Sequence, residues 1–257
     1  MDAGAGSRHN PWVLLPLVHR AYRALGSRYW WVVVGGETAA SVLVAAVTVV
    51  LASRFYPGLG VGQVATVTAA AAGLTVATVL YAAVRSAGSY AALEQWRATS
   101  MPTPAETVSA WEVATTFTLR HFRRSSLSVG LLTVVPTAGL AALVWDIGWA
   151  GLGAMLLASL IPAVYATVLS YSVGEVLARP VIEEVAAQLP VDFSFRARGL
   201  PLAKRLRIAL PAYTTCSGIA VAGIVGGGGG SARLTLVVVV ALVIGVLLST
   251  ELSAFLG

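Results

Sequence analysis

Three carboxylates stand in or beside long apolar runs of this chain: Glu37, Glu175 and Glu251. A carboxylate in hydrocarbon is costly, so it marks a functional place or finds a partner. Glu37 lies about two helical turns into the first run and Glu251 about as far from the end of the last. Glu175 sits at the polar end of the fourth. Two outcomes are open for each. Together they form a polar cluster that couples helix position to the aqueous side, or each snorkels to the interface or pairs with an arginine such as Arg85 or Arg207. Two basic groups, Arg120, Arg123, Arg124 and Lys204, Arg205, Arg207, can grip anionic lipid headgroups or serve as topological anchors alone.

Other chemistry is sparse. The glycine run at 226–230 is not followed by the lysine of a phosphate loop and reads as a turn. His9, His19 and His121 are too scattered for a metal site. Cys216, the single cysteine, lies inside an apolar run and reads as packing. The sequence therefore predicts no catalytic residue, no metal and no cofactor.

The composition sets the class. The chain is 57% hydrophobic and 11% charged, with mean hydropathy +0.81, whereas a soluble domain carries about 25% charged residues. The net charge of +6 is read as the mark of cytoplasmic loops in a membrane protein, not of nucleic-acid binding. No cleavable signal peptide is expected: the start is polar and the first long apolar run ends at Arg54 without a small-residue cleavage pattern.

The elements follow. Residues 1–28 read as a polar tail and an interfacial helix with Trp12, Leu15 and Val18 on one side. Residues 29–257 read as an all-α, polytopic membrane domain of six transmembrane helices, at about 29–52, 64–84, 127–145, 151–173, 208–225 and 234–252. Tyr29, Trp30 and Trp31 form an aromatic anchor at the first. The spans group as three hairpins joined by two linkers, and a short echo, YAxVxS at Tyr81 and at Tyr165, hints at repetition. Arg54 and Arg233 are the only basic residues at the hairpin turns. Four lie in the N-terminal segment, five in the first linker and six in the second. That bias places both termini and both linkers in the cytoplasm of a multi-pass plasma-membrane protein.

Each linker carries its own helical pattern. In the first, Thr103-Pro104-Ala105-Glu106 is a capping box with proline at the first helical position, and Val108, Trp111, Thr115, Thr118 and Phe122 follow at helical spacing. In the second, Pro180 is expected to open a separate helix whose apolar face is Val181, Ile182, Val185, Ala186 and Leu189, with Pro190 ending it. Another helix is expected to start near Pro201 and run into the fifth span, where Pro211 should make a kink.

These linker motifs carry a resemblance. EVLARPVI from Glu175, a short helix ending at Leu189-Pro190, GLPLAKRLR from Gly199 and the earlier WRATSMPTPAE from Trp96 resemble the six-span N-terminal membrane domain of actinobacterial class III adenylate cyclases. In that family the domain precedes a HAMP linker and a cyclase domain and works as a homodimer. The resemblance implies a bacterial sensory or regulatory membrane module that is not itself an enzyme, with no cyclase motif to carry over. No basic residue follows Arg233, so an effector domain is expected after Gly257. A small transporter or permease component, or a membrane scaffold without a ligand, are the competing readings.

Overall fold

The computed structural model describes the backbone of residues 14–194, 202–226 and 228–255, and the side chains within them except at 14–15, 27, 117–131, 202–206 and 251–255. Among the described residues the chain is helical with no strand. A short helix α1 (Leu14–Leu25) and a 3-10 turn (Gly26–Arg28) lead into α2 (Tyr29–Ser53). Then come α3 (Val61–Ala98), α4 (Pro104–Val129), a π-helical turn (Gly130–Val134), α5 (Val135–Val144), α6 (Gly148–Ala186), α7 (Leu202–Val225) and α8 (Gly230–Phe255). Five of these are long and apolar enough to cross a membrane, and Leu132–Val144 is a shorter apolar helix in the remaining place. The protein is an all-α polytopic membrane protein. Leu43, Val84 and Leu143 are 64%, 74% and 82% exposed, an apolar surface of the kind that a bilayer covers.

The three hairpins are present, and their turns meet at one end of the bundle. The first turn accepts from the third: the Gly228 and Gly230 amides bond the Arg54 and Phe55 carbonyls, each at 2.9 Å. Gln63 ties the first hairpin to the second, its Nε2 donating to the Val144 carbonyl at 2.8 Å. Beneath these contacts lies the largest core, with Phe55, Met155, Leu234 and Trp145 buried. Between α7 and α8 the backbones approach closely. A side chain at Gly218 would run into Ala241, and one at Gly245 into Thr214 and Pro211.

At the opposite, linker end two helices run on beyond the expected spans. α3 does not stop near residue 84 and α6 does not stop near 173; at 38 and 39 residues each is about 57 Å long, against a hydrocarbon core of about 30 Å. Pro180 opens no new helix. It lies buried inside α6, removing the N–H that would have bonded the Val176 carbonyl. The neighbouring Leu177 carbonyl is bonded instead by the Tyr29 hydroxyl at 2.9 Å. That contact, with Val185 fully buried beyond it, holds the helix through the proline. α6 then ends at Ala186, before Pro190. The third span is likewise composite: α4 runs into the π turn just ahead of Pro136, whose missing N–H disturbs the α register there.

Other expectations agree with the structure. The Thr103 amide donates to Glu106 Oε2 at 2.7 Å, and the Glu106 amide to Thr103 Oγ1 at 3.3 Å, so the capping box opens α4. Val181, Ile182, Val185 and Leu189 share one face, against Leu93, Trp96 and Trp111, whereas Ala186, expected on that face, is exposed. Pro211 lies within α7, while Pro201 falls outside the described residues. The aromatic anchor divides: Tyr29 is buried, Trp30 stacks on Tyr90 at 4.5 Å, and Trp31 faces outward.

Candidate functional site

Two arrangements of polar side chains stand out, one in each half of the bundle. The first is a cavity between α2, α3, α5 and α6, enclosing about 80 Å³ open to the centre of a water molecule. Helix α2 supplies Glu37, Ser41 and Thr48. Thr75 and Thr78 come from α3, Thr133 and Thr137 from the π turn and α5, and Ser159, Thr167 and Ser170 from α6. On α2 the lining runs from Glu37 to Val49, about 18 Å along the axis. It is a column rather than a pit.

The chemistry of this wall follows from where its hydroxyl protons go. Thr48, Thr75 and Thr167 donate to carbonyls one turn back on their own helices, at 2.7 Å. Thr78 does the same to Leu74 at 2.8 Å and lies 2.9 Å from the Thr133 hydroxyl, a contact that crosses between helices. The Thr137 hydroxyl is buried and has no hydrogen-bond partner among the described residues. Pro162, also on the wall, lacks the N–H that would bond the Ala158 carbonyl. A hydroxyl whose proton is engaged offers only lone pairs, so the column is rich in acceptors.

The second arrangement is a polar layer at the linker end, built on Arg97 near the end of α3. Its guanidinium lies 4.8 Å from the centre of the Tyr22 ring, and it pairs with Glu184 of α6 at 3.3 Å and Glu94 at 3.6 Å. The Tyr22 hydroxyl donates to the same Glu184 carboxylate. Burial, and next the hydrogen bond to Glu184, push the Tyr22 phenol well above its usual range. Tyr22 also meets Tyr29 edge-on at 5.1 Å, so α1 is docked onto α2 and α6. His19 bonds Glu183 at 2.8 Å, and Arg179 bonds it at 2.9 Å. With Glu183 about half exposed, those two pairs contribute about 1 kcal/mol or less each. The more buried Arg97 contacts govern the layer. Below them, Trp96 donates to Thr107 at 3.3 Å, closing α3 onto α4.

The three predicted carboxylates are placed as follows. Glu37 lines the cavity. Glu175 accepts a 2.7 Å bond from Tyr171 on its own helix and is not on the cavity wall. Glu251 belongs to α8, which packs mainly on α7 and α6, but its side chain falls outside the described residues. So do the side chains of Arg120, Arg123, Arg124, Lys204 and Arg205; Arg207 is exposed. Cys216 lines a shallower hollow beside the Tyr165–Tyr213 edge contact. Sequence reasoning missed the column, although Ala71, Thr75, Thr78 and Ala82 recur at helical spacing as a small, hydroxyl-bearing stripe. It also missed the Arg97 network, which joins residues far apart in the chain. Among protein families, curated proteins and solved structures, none matches this chain.

Proposed function

We propose that this chain is the membrane-embedded sensory or regulatory module of a signal-transduction protein, of the kind that its linker motifs resemble in class III adenylate cyclases. One observation supports this above the others: α3, α4 and α6 each belong to both the apolar bundle and the polar layer, without a loop between. A shift of one helix in the bilayer is then carried into the layer by a continuous rod. In this reading the layer and both termini are cytoplasmic, a placement that the arginine distribution supports. The module works as a homodimer in the bacterial plasma membrane and passes its state to a HAMP and cyclase domain, or to another effector.

A fusion tests it. The chain is joined through α8 to a HAMP linker and a class III cyclase domain, and cyclic AMP formation is measured in membranes. Arg97→Ala and Trp111→Ala should each change output per unit of folded protein in the membrane by about threefold or more. Output that is indifferent to both, and equal to that from an unrelated six-span anchor, overturns the reading. The transporter reading draws on the Glu37-bearing column. It gains ground if solute flux into liposomes depends on Glu37 while the fusion stays indifferent.

A further inference from the structure

We infer that α1 seats its outer side on the anionic phospholipid headgroups of the leaflet at the linker end, with Arg20, Arg23 and Arg28 as the charged contacts and Leu17 and Leu25 as the apolar footing. The inference needs only the placement of the bundle in a membrane and stands whether or not the module signals.

Three stripes run along α1 at helical spacing. His19 and Tyr22 form the inner one, bonded to Glu183 and Glu184 of α6. Leu17, Ala21, Ala24 and Leu25, spaced i, i+4, i+7 and i+8, form a second. Leu17 is 56% exposed and Leu25 is exposed too. Arg20 and Arg23 form the third, and both are exposed. A helix that packs only on protein turns its apolar stripe inward. Here the docked stripe carries a histidine and a tyrosine, while the two leucines are left outside beside arginines. An apolar stripe flanked by arginines is the pattern of a helix lying in a bilayer surface.

Charge selects the headgroup. No carboxylate occurs between residues 14 and 36. Among the described residues no ion pair reaches Arg20, Arg23 or Arg28, and Arg23 bonds the His19 carbonyl one turn back at 3.4 Å. The carboxylates of the neighbouring layer, Glu94, Glu183 and Glu184, are held by Arg97, Arg179 and His19. Three guanidinium groups therefore stay uncompensated on α1 and its turn, and a guanidinium matches a phosphate oxygen pair.

Position gives the reach. Only Gly26–Arg28 separates α1 from α2, whose first turn carries the exposed Trp31, a residue type that sits at headgroup level. Arg28 is thus at the membrane boundary. Arg20, eight residues earlier, lies at most about 12 Å farther out even with α1 upright, within a Debye length of about 8 Å plus the length of its side chain. Because Tyr22 and His19 sit on the same helix, lipid charge that steadies α1 also steadies its contacts with the Arg97 layer.

The test follows hydrogen exchange of the α1 amides in the full chain, in nanodiscs of phosphatidylcholine alone and in discs with about one-third phosphatidylglycerol. Exchange should be about threefold or more slower in the anionic discs, relative to the α7–α8 hairpin, and the gap should shrink as salt rises. Arg20→Gln/Arg23→Gln/Arg28→Gln should abolish the gap. Equal exchange in both discs overturns the proposal, as does a gap that survives in this variant, which would assign the effect to other basic groups. The same slowing in neutral discs on adding inorganic phosphate also overturns it, because a lipid surface would not then be needed. Should the triple variant fail to insert, Arg20→Gln/Arg23→Gln, which keeps the charge beside α2, takes its place. A gap cut by about half or more supports the proposal, and an unchanged gap overturns it.

Discussion

The molecule has two interiors, and they are held together differently. Around the column, many hydroxyls bond back to their own helices, and the Thr78–Thr133 contact crosses between helices. Around Arg97, bonds run from helix to helix: α3 to α6 through Arg97 and Glu184, α1 to α6 through Tyr22 and His19, α2 to α6 through Tyr29, and α3 to α4 through Trp96. Helix α6 passes through both with a proline in each. Pro162 lines the cavity; at Pro180 a tyrosine hydroxyl bonds the adjoining carbonyl. The first interior is knit mostly by bonds within single helices. The second is knit mostly by bonds between helices.

The largest expected effect separates the two. Trp111→Ala empties the centre of the linker-end core and should cost about 3–5 kcal/mol of local stability. Hydrogen exchange should accelerate at the start of α4 and the end of α6 while the α7–α8 hairpin keeps its protection. Equal loss of protection in the hairpin would show that the two interiors unfold as one, which breaks the distinction.

A smaller contrast sharpens it. Tyr29→Phe removes a bond between helices and should destabilise by about 1 kcal/mol. Thr48→Val, which removes a bond within one helix, should stay within about 0.5 kcal/mol. Comparable losses from both would mean that the column is as tightly knit as the layer. The smallest effect belongs to the capping box. The Glu106 carboxyl is held below its ordinary value of 4.5 by the Thr103 amide and then the Thr103 hydroxyl. Its contribution is full above pH 4.5 and is lost as pH falls through the depressed folded value. Exchange of the first α4 amides should therefore accelerate on acidification below pH 4.5 beyond the intrinsic trend, and Glu106→Ala should remove that dependence.

Local rules made part of this legible in the sequence. The capping box, the Val181–Ile182–Val185–Leu189 face and the three hairpins are decided by neighbours within a few turns, and the structure has them. Pro180 was misleading because its local preference to start a helix is outweighed by Tyr29 and the packing of Val185, which belong to tertiary structure. The extension of α3 had a readable signal: no proline lies between Val61 and Ala98, and Leu93 and Trp96 have a core to enter. The column had only a faint one, since a threonine bonded to its own helix is locally indistinguishable from one that lines a cavity. Arg97 looked like another topological charge until the fold brought Tyr22 and Glu184 to it.

The turns of the three hairpins, tied by the Gly228, Gly230 and Gln63 bonds, act as a hinge pin. With that end clamped, a tilt of a long helix grows in proportion to distance. About 2° at the pin of α6 becomes about 2 Å at its far end, some 58 Å away. Leverage of that kind turns a displacement too small to open the bundle into one large enough to change which side chains meet Arg97.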